Sequence, residues 1–411
     1  MLEVFLLPLL LSHQEPASNI RVDDLKAHIG YLASEELEGR ESGERGGHLA
    51  AKYVARHFEQ LGLKPLGEKG SYLLPFTIRG KGTTAYNVAG VLPGTETGTE
   101  GGMLVIGGHH DHAGIGGPGA MGFPGEIHNG ADDNASGTAG VIELAEWFAA
   151  HPPKHPIMFV TFSAEERGLW GSQALVAEGP VPVKAMRAMI NLDMIGRSES
   201  GYLFIGGLGT ADEFHTVLDP VLAASTLKLE TKDDGQAPSD NSSFHDAGVP
   251  ALFFFTNVHD DYHLPTDDAD KINYEGEVQI LQLVRKVAMA IDGHAGAITY
   301  HQRPGMAMPD DFMDRMRTHY TLIAERRNLK GKLGITPSEA TGGLAIGAVS
   351  EGSAAAAAGL QAGDMLIRIG ERDIRTLEDL RRALGSGLRG DVVKVTIERA
   401  GKRNTLDAVL K

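Results

Sequence analysis

The chain has 411 residues, which is long enough for two or three domains with sizeable cores. Its formal net charge of −16 argues against nucleic acid and anionic membrane surfaces as partners, because both would repel the protein before specific contacts formed. The chain contains no cysteine, which excludes disulfides, thiol catalysis and thiolate metal sites. An acidic chain of this kind is suited to binding cations.

The first 19 residues contain an apolar run, residues 4–11, that is too short to span a bilayer. Two interpretations stay open for this stretch: part of an export signal that lacks the usual basic segment, or an unstructured apolar N-terminus. We favour export to the periplasm or the extracellular space. No other segment is apolar over a membrane-spanning length, so we expect no stable membrane insertion.

Helical and strand patterns alternate between residues 20 and 295. Amphipathic spacing first predicts two helices, over residues 22–32 and 50–61. Six strands are then predicted at residues 86–91, 103–106, 157–162, 188–192, 202–205 and 251–255, with helices at residues 138–150, 211–224 and 275–291. This alternation predicts an α/β fold in which helices cover both faces of a mixed, mostly parallel sheet.

Polar clusters follow three of these strands at their carboxyl ends. They are GGHHDH at residues 107–112, FSAEERG at residues 162–168, and Asp193 in NLDMIGR. In open α/β sheets, ligands bind at this edge. Imidazole and carboxylate groups that converge there without a thiolate predict a zinc site, with manganese or cobalt as alternatives.

Each candidate also has a plainer explanation. The adjacent acids of GADDNASG, residues 130–137, are typical of a solvated helix N-terminus. Glu165 and Glu166 also fit a solvated charged loop. Asp193 also fits an ion pair with Arg197, and His263 fits a surface ion pair with neighbouring acids. Only the combination of clusters favours a metal site over these alternatives.

Five segments in this order, HxD, DDNASG, EE, NLD and YH, resemble the co-catalytic zinc aminopeptidase family. That family also contains glutamate carboxypeptidase II, glutaminyl cyclases and the transferrin receptor. The resemblance covers about residues 22–292 and implies an exopeptidase that removes N-terminal residues from peptides with two Zn²⁺ ions per chain. Carboxypeptidase, dipeptidase or cyclase activity at the same site is an alternative, and so is a non-catalytic binding protein that recruits partners through its C-terminal unit.

The resemblance assigns roles to individual residues by position. It implies His109 and Asp193 as ligands of one zinc ion, Glu166 and His263 as ligands of the other, and Asp133 rather than Asp132 as the bridge, followed by a cis peptide bond.

The same resemblance implies three supporting roles. Asp111 would support His109, Glu165 would act as the general base, and Tyr262 would donate a hydrogen bond to the oxyanion. The segment SDNSSF departs from the family pattern, because Asn241 replaces the usual histidine. That departure puts the substrate pocket in doubt, and the metal site is unaffected by it.

Two further regions follow the peptidase-like unit. Residues 296–329 are irregular and charged and predict a helical linker, and residues 330–411 predict a small unit of strands and helices. The run AGLQAGDMLIRIG resembles the PDZ domains of bacterial proteases. This resemblance implies a carboxylate-binding loop at Leu333, Gly334 and Ile335 and a groove for a C-terminal peptide. A packing module without a ligand is the alternative.

Overall fold

The computed structural model describes residues 19–96, 102–116, 120–121, 125–370, 372–385 and 387–411. These residues form two units, each with its own sheet and hydrophobic core. The apolar run at residues 4–11, interpreted above as an export signal or an unstructured N-terminus, lies outside the described residues. Within the described residues, no helix has both the length and the apolar character needed to cross a membrane.

A nine-stranded mixed sheet forms the centre of the first unit. Its strands are β1 (Lys64–Pro65), β2 (Leu73–Thr77), β3 (Thr84–Leu92), β4 (Met103–His109), β5 (Ile157–Phe162), β6 (Met186–Leu192), β7 (Tyr202–Gly206), β8 (Lys228–Thr231) and β9 (Ala251–Phe255). The order is β1-β3-β5-β4-β6-β9-β7-β8, and β2 pairs with β3. The central strands β5, β4, β6 and β9 run parallel, which confirms the predicted mixed, mostly parallel sheet.

Helices cover both faces of this sheet, as predicted. They are α1 (Val22–Leu32), α2 (Arg45–Gln60), α3 (Gly137–Ala150), α4 (Trp170–Glu178), α5 (Phe214–Ala223), α6 (Asn241–Asp246), α7 (Tyr274–Gly293) and α8 (Phe312–Leu329). Successive side chains of β4 point to opposite faces. Leu104 and Ile106 belong to the core that includes α1, α2, α3 and α7, whereas Val105 belongs to the core that includes α4 and α6.

The turn before α3 brings three segments into close contact. A side chain on Gly137 would place its Cβ 2.3 Å from Asn134 Oδ1 and 2.4 Å from the carbonyl oxygen of Leu192. Only glycine leaves room for this approach. The GADDNASG turn therefore packs directly against the end of β6, the strand that leads to Asp193.

The segment predicted as a linker carries α8, and this helix packs on the first unit. The Phe312 ring lies edge-on to Phe255 at 6.5 Å between ring centroids, and Ile323 packs with Leu264. Asn257 donates a hydrogen bond to Asp311 just before the helix. Residues 311–323 therefore contribute to the wall of the first unit as well as connecting it to the second.

The second unit is an antiparallel sheet with two short helices. Its elements are β10 (Ile335–Ala340), β11 (Gly343–Val349), α9 (Ala354–Ala358), β12 (Met365–Ile369), β13 (Arg372–Asp373), α10 (Leu377–Leu384), β14 (Val392–Arg399) and β15 (Lys402–Val409). The strand order is β10-β11-β12-β14-β15, so β10 lies at an edge. Leu333 is buried, Gly334 has a φ of +77°, and Ile335 begins the edge strand β10. The predicted carboxylate-binding loop therefore lies at the start of the edge strand β10.

Candidate metal centre and active site

The carboxyl ends of three adjacent parallel strands meet at one point of the sheet edge. His109 is the last residue of β4, Glu165 and Glu166 follow β5, and Asp193 directly follows β6. His109 pairs in register with Phe162 of β5, so the two strands end at the same level. The predicted clusters meet because neighbouring parallel strands share one edge.

All seven residues to which the sequence assigned ligand or catalytic roles line one cavity of about 300 Å³. These residues are His109, Asp133, Glu165, Glu166, Asp193, Tyr262 and His263. They come from strand ends and loops that are far apart in the chain, so their convergence is a property of the fold.

Asp133 lies between the two histidines proposed as ligands. Its Oδ1 is 3.3 Å from His109 Nε2, and its Oδ2 is 2.9 Å from His263 Nε2. Burial alone would raise the pKa of Asp133, but hydrogen bonds from His109 and His263 and the charge of His112 hold that pKa well below its ordinary value. One carboxylate thus presents an oxygen to each side of the site, which is the arrangement a bridging ligand requires.

Asp132 points away from the cavity. Its carboxylate accepts hydrogen bonds from the Gly196 N–H at 2.6 Å and from Ser136 Oγ at 3.1 Å, and it lies 3.2 Å from His259 Nε2. The peptide bond between Asp133 and Asn134 is cis, as the resemblance implied. The two adjacent acids therefore have different environments, and only Asp133 faces the histidines of the cavity.

Two groups of side chains have the spacing needed to hold a metal ion, among the described residues: His109 with Glu165 and Asp193, and His112 with Asp133 and Glu166. In the first group, His109 Nε2 lies 3.3 Å from Asp193 Oδ1 and 3.9 Å from Glu165 Oε2. In the second, Glu166 lies 2.6 Å from His112 Nδ1, and its other oxygen lies 3.4 Å from His263 Nε2.

His112 was not among the predicted site residues. Strand β4 ends at His109, so the alternation of side chains that places residues on known faces stops before His112. No sequence signal distinguished it from His110, whose Nδ1 instead contacts Thr161 Oγ1 at 3.0 Å. The loop conformation after β4 alone brings His112 to Glu166.

The chemistry of these groups fits zinc. Carboxylate oxygens and imidazole nitrogens without a thiolate are typical zinc ligands. Burial raises the pKa of Glu165 well above its ordinary value, and the negative charges of Asp193 and Glu166 act in the same direction. Buried carboxylates crowded in this way are stabilised by a cation between them. None of the described residues that line the cavity is Lys or Arg, so no side chain there supplies the positive charge.

The plainer explanations do not match the observed contacts. Arg197 makes its ion pairs with Asp261 at 3.2 Å and Asp267 at 3.8 Å, whereas Asp193 accepts a hydrogen bond from Ser239 Oγ at 2.6 Å. The side chains of Glu165 and Glu166 are only 11% and 5% exposed, so they do not form a solvated loop.

Asp111 contacts His109 and also the segment that carries Glu165. His109 Nδ1 lies 3.1 Å from the backbone oxygen of Asp111 and 3.8 Å from its carboxylate. The carboxylate accepts hydrogen bonds from Ser42 Oγ at 2.7 Å and from the Glu165 N–H at 3.2 Å. It therefore ties the strand end that carries His109 to the loop that carries Glu165.

Arg40 is fully buried beside the site, and the sequence did not predict a role for it there. Its guanidinium donates to the carbonyl oxygens of His110, Asn129 and Gly130, and also to that of Leu32. Burial lowers the pKa of Arg40 to about 10, against the attraction of nearby carboxylates. The side chain thereby joins the end of β4 to the start of the GADDNASG turn.

Part of the cavity lining is apolar. One hydrophobic cluster contributes six of the lining residues, Met194, Phe253, Phe255, Val258, Met308 and Phe312. Tyr262 stacks on His263 at 3.9 Å between ring centroids. Burial raises the pKa of Tyr262 well above its ordinary value, as do the charges of Asp133 and Glu166, so the phenol remains a proton donor.

Asn241, the departure from the family pattern, is not among the residues that line the cavity. It is buried, and its side chain donates to the carbonyl oxygen of Gly235 at 3.0 Å. Ser239 from the same segment instead reaches the site through Asp193. In this chain, residue 241 therefore supports the loop and does not contribute to the described lining of the pocket.

The fold and the site define a protein of the zinc-exopeptidase class. Residues 87–288 match the model of peptidase family M28, and residues 331–410 match that of a PDZ domain. The chain thus belongs to peptidase family M28 and carries a PDZ domain after the peptidase unit. Both family resemblances drawn from the motifs are confirmed.

Individual relatives agree with this assignment. The chain is 31% identical to leucine aminopeptidase 1 of Grosmannia clavigera over an alignment length of 288, and the match covers 65% of this chain and 66% of the relative. Aminopeptidase YwaD of Bacillus subtilis is 30% identical over an alignment length of 165, and the match covers 38% of this chain and 36% of that protein. The chain spans between about half and two thirds of the length of the first curated relatives it matches.

Solved structures share the fold at lower identity. The zinc aminopeptidase BSAP from Bacillus subtilis superposes with a TM-score of 0.54 at 18% identity, covering 70% of this chain and 99% of that one. The glutaminyl cyclase of Porphyromonas gingivalis gives 0.54 at 16% identity, covering 66% of this chain and 99% of that one. These similarities support the architecture described above.

Proposed function

We propose that the chain is an aminopeptidase that uses two zinc ions to remove N-terminal residues with apolar side chains from peptides. The observation that carries this proposal is the lining of the cavity, which combines the predicted ligand and catalytic residues with apolar side chains of one hydrophobic cluster and, among the described residues, contains no Lys or Arg. The curated relatives named as aminopeptidases support the same activity.

The composition of the lining disfavours a free C-terminal carboxylate. Asp133, Glu165, Glu166 and Asp193 line the cavity, and no described lining residue is Lys or Arg. Two zinc ions would offset the charge of these four carboxylates, and no cationic side chain is present in the described lining to pair with a C-terminal carboxylate. The apolar lining residues, which include Phe253 and Phe312, would hold the side chain of the first residue.

His109, Asp193, Asp133, Glu166 and His263 would hold the zinc ions. Bound zinc polarises a carbonyl group and lowers the pKa of water. Glu165 would accept a proton from the attacking water through its carboxylate and deliver it to the leaving amine. Tyr262, protonated beside His263, would donate its phenol hydrogen to the developing oxyanion.

A panel of matched peptides tests the choice between amino- and carboxypeptidase. Peptides that begin with leucine should be cleaved one residue at a time from the N-terminus, and the same peptides with an acetylated N-terminus should not be cleaved. Acetylation converts the free amino group, by which an aminopeptidase recognises the end of its substrate, into an uncharged amide. Product analysis by mass spectrometry identifies the released residue. Equal cleavage of acetylated peptides, or release from the C-terminus, would contradict the proposal.

Metal content tests the proposed stoichiometry. Purified protein should contain about two zinc ions per chain, as a co-catalytic site requires. Removal by a chelator should lower Tm by at least about 5 °C, because the native state alone offers the assembled ligands and the buried carboxylates lose their counter-charge. Added zinc should restore both Tm and activity. One ion or none in fully active protein would exclude the two-metal site.

A further inference from the structure

The PDZ domain touches the peptidase unit through its helix α10. A side chain on Gly125 would place its Cβ 2.4 Å from Arg381 Cβ, and one on Gly385 would place its Cβ 2.4 Å from Glu126 Cγ. Residues 381 and 385 are one turn apart, so the end of α10 rests on residues 125 and 126. Neither glycine leaves room for a Cβ atom, which shows that the two surfaces are in direct contact at these positions.

An ion pair crosses the same contact. Lys330 Nζ lies 3.2 Å from Glu126 Oε1, and the two side chains are only 23% and 14% exposed. Burial raises the pKa of Glu126, against the attraction of Lys330. A partly buried pair contributes more to orientation than an exposed one does, because less water competes for it.

On the peptidase side, chain proximity and hydrogen bonds connect this contact with two parts of the active site. We call residues 125–128 the contact loop. Within it, His128 Nδ1 donates to the carbonyl oxygen of Glu126 at 3.0 Å, and His128 lies two residues before Gly130, where the GADDNASG turn begins. Residues 122–124, which precede the contact loop, lie outside the described residues, and before them the Met121 N–H donates to the carbonyl oxygen of His263 at 3.4 Å.

The edge strand of the PDZ domain is poorly suited to pairing with a long peptide strand. Pro337 lies within β10, where the register with β11 shifts. Proline within a sheet occurs where its missing N–H would face solvent, and it is one way in which edge strands avoid pairing. An added peptide would therefore lack a main-chain hydrogen bond near the middle of β10.

We propose that the PDZ domain acts on its own chain: α10 and Lys330 hold the contact loop, and the loop keeps the GADDNASG turn and His263 in the arrangement needed for catalysis. The contact loop is thus a positioning element, and the PDZ domain forms part of the active enzyme. A PDZ domain that only recruits substrates would have no effect on the cleavage of small substrates, which do not reach its groove. The activity measurements below rest on the proposed aminopeptidase function.

The full-length variant Gly385→Leu tests this contact, since residue 385 has a φ of −57° that any amino acid adopts. The added side chain should push α10 off Glu126. We expect kcat/KM for leucine 4-nitroanilide to fall by at least about 10-fold, because a 1 Å misplacement of catalytic groups costs up to about 100-fold. Amide hydrogen exchange should accelerate in residues 128–133 and 262–264. The control Gly30→Leu, at an exposed site with open space around it, should change neither quantity.

Charge reversal separates positioning from general damage to the fold. Glu126→Lys and Lys330→Glu should each lower kcat/KM and accelerate exchange, and the double variant should recover to within about 3-fold of the wild type because it restores the pair. Lys394→Ala, which removes an exposed ion pair with Asp407 on the PDZ sheet, serves as the matched control.

Two outcomes would overturn the proposal. The first is that Gly385→Leu shows the same hydrogen exchange and the same kcat/KM as the wild type. The second is that the double charge-reversal variant has a kcat/KM no higher than that of either single variant. The second outcome decides the question if Gly385→Leu misfolds. If the wild type itself fails to cleave leucine 4-nitroanilide, the aminopeptidase function is wrong, and the exchange measurements alone decide whether the PDZ domain holds the active-site loop.

Discussion

Replacing Glu165 with glutamine should lower kcat by about 1,000-fold while the zinc content stays unchanged, because a general base contributes between about 100- and 10,000-fold. The amide has nearly the same shape as the carboxylate but cannot accept the proton from the attacking water. Glu165 lines the cavity, and its backbone N–H is held by Asp111, so the altered side chain should keep its place. Steady-state kinetics together with metal analysis measure both quantities.

The matched control is Gln60→Glu, an exposed position at the end of α2 where a change between the same two side-chain types should leave kcat unchanged. If Glu165→Gln kept more than about a tenth of the wild-type kcat, the assignment of the general base would be wrong, because even the weakest general bases contribute more. Loss of zinc in the variant would instead show that Glu165 acts mainly as a metal ligand, as its place beside His109 and Asp193 permits.

Replacing Asp133 with alanine should remove zinc from both positions. Its two carboxylate oxygens lie 3.3 Å from His109 Nε2 and 2.9 Å from His263 Nε2, so both halves of the site share this residue. We expect the zinc content to fall from about two ions to fewer than one, because a co-catalytic pair depends on its bridging ligand. Metal analysis after dialysis measures the loss, and activity should fall below detection.

Asp132→Asn is the informative comparison, since it changes the neighbouring acid that faces the other way. Its carboxylate accepts from the Gly196 N–H and from Ser136 Oγ, so the variant should lose about 1–3 kcal/mol of stability while it keeps its zinc. Thermal denaturation and metal analysis of the two variants together decide which aspartate bridges. If Asp132→Asn lost zinc and Asp133→Ala kept it, the bridge would be Asp132.

The sequence predicted most of the fold because its signals were local. Apolar runs bounded by glycine and proline identify the strands β3 to β7 and β9, and helical spacing identifies α1, α2, α3, α5 and α7, although α2 begins five residues before its predicted start. The family motifs then related the clusters to one another, so that Asp133 could be chosen over Asp132 by counting from Ser136 and Gly137.

Tertiary structure alone decided the residues that act through long-range contacts. His112 reaches Glu166 through a loop conformation that follows no periodicity, and Arg40 reaches the carbonyl oxygens of Asn129 and Gly130 from about 90 positions away in the chain. Met308 and Phe312, in the segment predicted as a linker, line the cavity.

Sequence patterns likewise do not predict the contact between α10 and the contact loop, because it depends on how the two units pack against each other. The sequence by itself determined which chemical groups the protein possesses and on which strand ends they lie, since both follow from local composition and spacing. The tertiary structure decided which of those groups are close enough to share a metal ion, a proton or a wall of the cavity, because distances between remote residues depend on packing of the whole chain.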